Sequence, residues 1–206
     1  MYLLSQVVKD FDIHLSVIAD RTCGALNFAQ KNGLQNEIIE MKKMKDQEFI
    51  AKVDSYSPTI IFTTIHKILS TKVLERFGEK LVNLHYSLLP SYAGTIGMEG
   101  VKLGSERKDF LLGVTTHKLV DEVDKGEPII QSVFKNPNNR RLSERISFRI
   151  GCNQIYSIVL SRSTQSTVLE RKEMDTVLDH SVHHIPYVFS LPTIVDEGFW
   201  TNLESI

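Results

Sequence analysis

The sequence predicts an α/β fold: an open, mostly parallel twisted sheet with helices on both faces. Three observations carry it. Short apolar runs alternate with stretches of helical periodicity as far as residue 85. One of those runs, TIIFTT at 59–64, is apolar almost without a break, as expected of a strand buried on both faces. Two longer apolar strands, 111–120 and 127–134, flank the acidic stretch DEVDKGE and would pair as antiparallel neighbours at a sheet edge.

The elements follow in order. Leu3, Leu4, Val7 and Val8 would share one face of a short helix in the first ten residues. DIHLSVIAD (12–20) reads as a strand ending in an acidic loop, and 22–32 as a helix stopped by Gly33. NEIIEM (36–41) is a short strand, and 45–56 has helical periodicity. After TIIFTT come a helix near 70–77 and the strand KLVNLH (80–85). Residues 141–162 form a long amphipathic helix with Ser143 as a cap near its start. The tail from 175 mixes short apolar pieces with Pro186 and Pro192 and suggests a small hairpin extension. The expected division is a catalytic domain over 1–165 and a C-terminal extension, 166–206, packed on it.

At 206 residues the chain can bury a real core, and its 42% hydrophobic and 24% charged content is ordinary for a globular protein. A formal net charge of −1 gives no general attraction to nucleic acid or an anionic membrane. No apolar run is long enough to span a bilayer, and the N-terminus is too short and acidic for a signal peptide. Cys23 and Cys152 have no metal-ligand spacing, so no metal is expected, and two isolated thiols suit a reducing compartment. These features predict a cytoplasmic protein. There is no internal repeat and no glycine-rich phosphate cradle.

Chemistry concentrates in two places. In VNLHYSLLP (82–90), Asn83 and His85 are two apart on a strand, so both side chains point to one face. They stand at the strand's C-terminal end, where open α/β sheets bind ligands. An amide can donate to a developing oxyanion, and an imidazole can also shuttle a proton. A strand end meeting solvent explains the pair about as well. In HKLVDEVDKG (117–126), Asp121, Glu122 and Asp124 crowd one loop. Crowding can raise a carboxylate toward a useful base, although composition alone favours a solvated acidic turn.

Together NLHYSLLPSYAG and GVTTHKLVDEVDKGEPIIQ resemble the folate-dependent formyltransferases, which include glycinamide ribonucleotide, methionyl-tRNA and sugar N-formyltransferases. The shared pattern is Asn-x-His before SLLP, then H-x-x-x-D-x-x-D-x-G. The resemblance covers roughly residues 12–162 and implies a Rossmann-like sheet. It implies transfer of a formyl group from 10-formyltetrahydrofolate, a co-substrate of one-carbon metabolism, to a small-molecule amine. Asn83 and His85 would polarise the formyl carbonyl, and Asp124 would assist proton transfer and keep His85 correctly protonated. Residues 65–69 and 119–124 would wrap the pterin, largely by backbone contacts that include Ile65, Leu119 and Asp121. Leu69 and Leu89 would be apolar walls and Lys67 a cationic neighbour. His117 would stand at the mouth of the donor site, or be a structural strand histidine.

Members of that family open on a strand and a glycine-containing loop, and this chain starts at what resembles the following helix. Either the first strand is absent or the recorded start is too late; its absence would leave a gap beside 59–64 for the tail or another subunit of a homo-oligomer to fill. The same departure, and the lack of a basic C-terminal domain, leave an amino sugar, nucleotide-linked or free, as the favoured acceptor. Glycinamide ribonucleotide as acceptor, hydrolysis of the donor, and a non-catalytic folate-binding remnant are the alternatives.

Overall fold

The structure, a computed structural model, describes residues 4–5, 13–40, 43–64, 68–163 and 182–185. Of the expected N-terminal helix only Leu4 and Ser5 fall among these, and both are helical. The described residues divide into two compact units, one within residues 1–58 and one within 59–191.

In the first unit, β1 (Ser16–Ala19) and β2 (Gln35–Ile38) pair in parallel around α1 (Gly24–Lys31). Leu26 and Ala29 are the buried face of α1. The helix stops where Gly33 takes a positive φ of 66° and Leu34 N–H reaches back to the Ala29 carbonyl. Helix α2 (Asp46–Asp54) starts with Asp46 and Glu48 in its first turn, where negative charge suits the helix dipole.

The second unit is built on a five-stranded open sheet in the order β3-β4-β5-β6-β7. Its strands are β3 (Ile61–Thr63), β4 (Leu81–His85), β5 (Leu111–Lys118), β6 (Pro128–Lys135) and β7 (Val182–Ile185). β3 and β4 are parallel and joined through α3 (Thr71–Phe77), whereas β4 to β7 are antiparallel throughout. The expected β5–β6 pair is present with a register irregularity at Thr116/His117. The tail lies outside the described residues apart from β7, which pairs with β6.

Three details differ from the sequence reading. The run 59–64 does form a strand, but Ile61 and Phe62 are only half-buried. Among the described residues β3 has a strand on one side alone. Ser143 does not cap the long helix α5 (Arg140–Ser163): it lies inside it and donates to the Asn139 carbonyl at 3.0 Å. The cap is Asn139, whose Oδ1 accepts the Leu142 N–H at 3.0 Å. Helix α4 (Glu99–Glu106) was not expected at all.

The core of this unit lies between the sheet and α4 and α5, where Val101, Leu112, Val114, Phe134, Ile146 and Ile150 are buried together. A second cluster joins Val82, Ile130 and Ile158. Between them sits a buried polar device. Gln154 of α5 donates to the Val114 carbonyl at 3.0 Å and to Ser132 Oγ at 2.7 Å. Its Oε1 accepts from Thr116 Oγ1 at 2.6 Å. Every polar atom of the amide is used, so α5 can lie on β5 and β6 in one register only. Gln154→Leu keeps the volume but orphans those partners. Each buried unsatisfied group costs about 1–3 kcal/mol. Denaturant unfolding should therefore show a loss of at least about 2 kcal/mol; a loss below about 0.5 kcal/mol would mean that the network contributes little.

Candidate active site

The site grows from strand register. Thr63 of β3 is paired with Asn83 of β4, and Asn83 with His117 of β5, so three polar side chains line up across neighbouring strands. Thr63 Oγ1 donates to Asn83 Oδ1 at 3.4 Å, and Asn83 Nδ2 lies 3.3 Å from His117 Nε2. His117 Nδ1 is 2.8 Å from the Lys118 carbonyl oxygen. That oxygen can only accept, so Nδ1 carries the proton and Nε2 accepts from Asn83. The carboxamide is thereby oriented, its oxygen toward Thr63 and its NH2 toward His117, with one N–H to spare.

Burial holds the His117 imidazole below its ordinary range, against the opposing pull of the Lys118 carbonyl and Asp124. Only 2% of the residue is exposed. It sits within the sheet and touches the two polar groups on either side.

His85 is buried at the end of β4. Its Nε2 is 3.1 Å from the carbonyl oxygen of Tyr92, and its Nδ1 is 3.4 Å from Asp124 Oδ2. The other oxygen of Asp124 lies 3.5 Å from His117 Nε2, and Oδ2 also accepts the Gly94 N–H at 2.7 Å. One carboxylate, its side chain 8% exposed, thus bridges both histidines and the loop after SLLP. Asn83 reaches Asp124 only through His117.

The loop that carries Asp124 explains its own composition. Asp121 and Glu122 are exposed, whereas Asp124 turns inward at a positive φ of 56°. Two residues later Gly126 crosses β5 so closely that a Cβ there would sit 1.7 Å from the Lys118 carbonyl oxygen. The final glycine of the H-x-x-x-D-x-x-D-x-G pattern is thus a steric requirement.

The other expected donor-site residues are spread around this centre. Ile65 and Lys67 lie outside the described residues. Leu69 and Leu89 are buried, Leu119 is half-buried, and Asp121 is exposed. Leu89 is fixed by its backbone: its N–H donates to Thr115 Oγ1 at 3.1 Å, and its carbonyl accepts from Gln131 Nε2 at 3.0 Å. Ile68, Val120 and Val123 expose apolar side chains on the two segments expected to wrap the donor. Such side chains can pack against the face of a flat ring.

Sequence reasoning passed over Thr63, Tyr92, Gly94, Thr115 and Gln131. The two threonines that close the apolar run 59–64 were the one sequence signal that touched Thr63. The others contribute mainly through backbone atoms or through cross-strand partners that only register reveals.

Comparison with known proteins gives this geometry a family. The sequence profile described as formyl transferase matches residues 11–149. The chain belongs to the formyl transferase family. It is 32% identical over 114 residues to methionyl-tRNA formyltransferase of Thermodesulfovibrio yellowstonii, covering 53% of this chain and 36% of that protein. It is 26% identical over 151 residues to formyltetrahydrofolate deformylase of Haemophilus influenzae, covering 73% and 47%. It is 28% identical over 126 residues to phosphoribosylglycinamide formyltransferase of Escherichia coli K12, covering 59% and 57%. The chain therefore spans about a third to somewhat over half the length of these relatives. The solved phosphoribosylglycinamide formyltransferase from Streptococcus pneumoniae shares the fold, with a TM-score of 0.65 at 17% identity, over 77% of this chain and 91% of that one. That from Coxiella burnetii gives a TM-score of 0.65 at 22% identity, over 77% and 78%. No described helix is long and apolar enough to cross a membrane.

The buried His117 gives the stability of this region a pH signature. Its proton is bound more weakly in the folded state than in the unfolded chain, where histidine titrates near about 6.5. Its contribution is therefore fully present above that value and is lost as the pH falls through it toward the lower folded value. Stability measured by denaturant unfolding should drop more steeply between about pH 7 and pH 5 in the wild type than in His117→Gln. Parallel curves for the two proteins would mean that His117 is not the group responsible.

Proposed function

We propose that this protein transfers a formyl group from 10-formyltetrahydrofolate to a primary amine. The observation that carries the reading is the Asp124 carboxylate shared between His85 Nδ1 and His117 Nε2, beside an amide whose donor end is held toward the site. We assign the catalysis to a domain over residues 1–165, with Asn83, His85 and Asp124 as the catalytic residues.

The chemistry follows from where protons can go. As the amine attacks the formyl carbon, negative charge grows on the formyl oxygen, and the free N–H of Asn83 is the donor for it. The amine must then lose a proton. His85, holding a proton on Nε2 against the Tyr92 carbonyl, has Nδ1 open to receive it, and Asp124 Oδ2 stands beside that nitrogen to balance the charge. The same proton can pass to the leaving nitrogen of the folate. For the donor, Leu69 and Leu89 supply buried apolar walls and Ile68, Val120 and Val123 exposed ones.

The acceptor amine is the finer part of the proposal. An amino sugar is the candidate favoured by the sequence; glycinamide ribonucleotide is the one suggested by the name of the Escherichia coli relative. A second reading, hydrolysis with water in place of the amine, is favoured by the Haemophilus influenzae deformylase, which aligns over 151 residues. Incubating the protein with donor, with and without each amine, separates the three by product: formyl-sugar, formylglycinamide ribonucleotide or formate. A cytoplasmic location belongs to the same proposal, and the free thiols of Cys23 and Cys152 agree with a reducing compartment.

His85→Ala should lower single-turnover formyl transfer about a hundredfold or more, because removing an oxyanion donor or an acid–base group costs two to three orders of magnitude. Asn83→Ala should fall in the same direction. Binding of a stable folate analogue should change much less in both, since these interactions strengthen in the transition state. Near-normal turnover in a folded His85→Ala protein would make the Asn-x-His pair structural and end this assignment.

A further inference from the structure

The catalytic histidine has a partner outside the motif. Tyr92, in the loop after SLLP, takes a positive φ of 58°, a conformation that an aromatic residue adopts only when its surroundings impose it. Its carbonyl oxygen meets His85 Nε2 at 3.1 Å and also accepts from Thr95 Oγ1 at 2.7 Å. Its side chain is gripped by one short segment at the end of α4. The phenol donates to Asp109 Oδ2, and the Arg107 guanidinium lies 5.4 Å from the ring centroid. The ring lies over Gly104, where an added Cβ would come 3.4 Å from Tyr92 Cε2, 3.2 Å from Asp109 Oδ2 and 2.5 Å from Leu112 Cδ2. A larger residue at 104 would disturb both partners of the phenol bond.

We propose that Tyr92 is a positioning residue for His85: its carbonyl fixes the imidazole as the Nε2–H tautomer, and its clamped ring holds that carbonyl in place. A carbonyl oxygen has no proton to give, so Nε2 must carry one, and Nδ1 is the nitrogen that gains and loses a proton, facing an Asp124 carboxylate that accepts its N–H once it is protonated. In the other tautomer Nδ1 would already be protonated and could not take the proton of the amine. Two lone pairs would then face each other at the Tyr92 contact. Asp109 and Arg107 thus act on the chemistry through Tyr92 without touching substrate. The catalytic consequence rests on the formyl-transfer reading; the tautomer does not.

Nitrogen-15 labelling of histidine and long-range proton–nitrogen correlation spectra of the full chain report the tautomer directly, independent of activity. The wild type should show His85 protonated at Nε2 when neutral. Asp109→Leu, which removes the acceptor of the phenol, should populate the Nδ1–H form and lower kcat on the order of tenfold, the scale of a small misplacement of a reacting group, while KM for the donor stays within about twofold. Asp109→Asn, which keeps an acceptor oxygen, should restore both readouts toward wild type. Tyr92→Phe is the milder variant should Asp109→Leu fail to fold, and it should move the same two readouts in the same direction. A wild-type His85 protonated at Nδ1, or unchanged nitrogen shifts and kcat in folded Asp109→Leu or Tyr92→Phe, would overturn the proposal. A shifted tautomer in a protein whose wild type transfers no formyl group would uphold the positioning role and remove the functional reading instead.

Discussion

The site depends on one carboxylate. Asp124 faces His85 on one side and His117 on the other, and it accepts the Gly94 N–H. A nearly buried charge in that position requires close partners on every open side. The Gly94 N–H donates to it, and His85 becomes a second donor when its Nδ1 is protonated. The positive φ of Asp124 turns the side chain inward, and the bare Cα of Gly126 lets the returning chain lie against β5. Removing Asp124 would leave His85 Nδ1 and His117 Nε2 without the carboxylate that stands between them, and it would release the loop that Gly94 anchors.

A second constraint is tautomeric. The acceptor at each histidine decides which nitrogen is free. For His117 it is the Lys118 carbonyl, which leaves Nε2 to receive the Asn83 amide. For His85 it is the Tyr92 carbonyl, which leaves Nδ1 toward Asp124. Both acceptors belong to the main chain and cannot titrate, so neither contact is lost through protonation of its acceptor. Backbone oxygens thus decide which ring nitrogens are available to the groups beside them.

Much of the fold was legible in the sequence. Alternating apolar runs and helical periodicity located strands at Ser16–Ala19, Leu81–His85 and Pro128–Lys135 and the long helix ending near Ser163. Helix α4 was hidden because GMEGVKLGSE carries three glycines, each poor in helix propensity; packing of Val101 into the core outweighs that local preference. At the site, period-two spacing put Asn83 and His85 on one face of β4. The motif singled out Asp124 among three carboxylates, a choice that composition could not make. Thr63 and His117 were not legible as partners of Asn83, because their alignment comes from strand register and the sequence states no register. Nor was Tyr92, whose contribution to His85 is a carbonyl that every residue possesses.

The antiparallel joining of β4 to β5 also has a consequence for how the molecule is assembled. His85 closes β4 and Leu111 opens β5, and the chain between them runs through the SLLP turn, the Tyr92 loop and α4. Nothing holds Asn83, His85 and Asp124 together until that long excursion has closed on itself. Local elements such as α5 and the β5–β6 hairpin form on faster timescales than contacts so distant along the chain. A chain emerging from denaturant is therefore expected to gain helix and hairpin before the three side chains are brought together. The grouping of these side chains is a property of the closed topology and is absent from any partly folded form that lacks it.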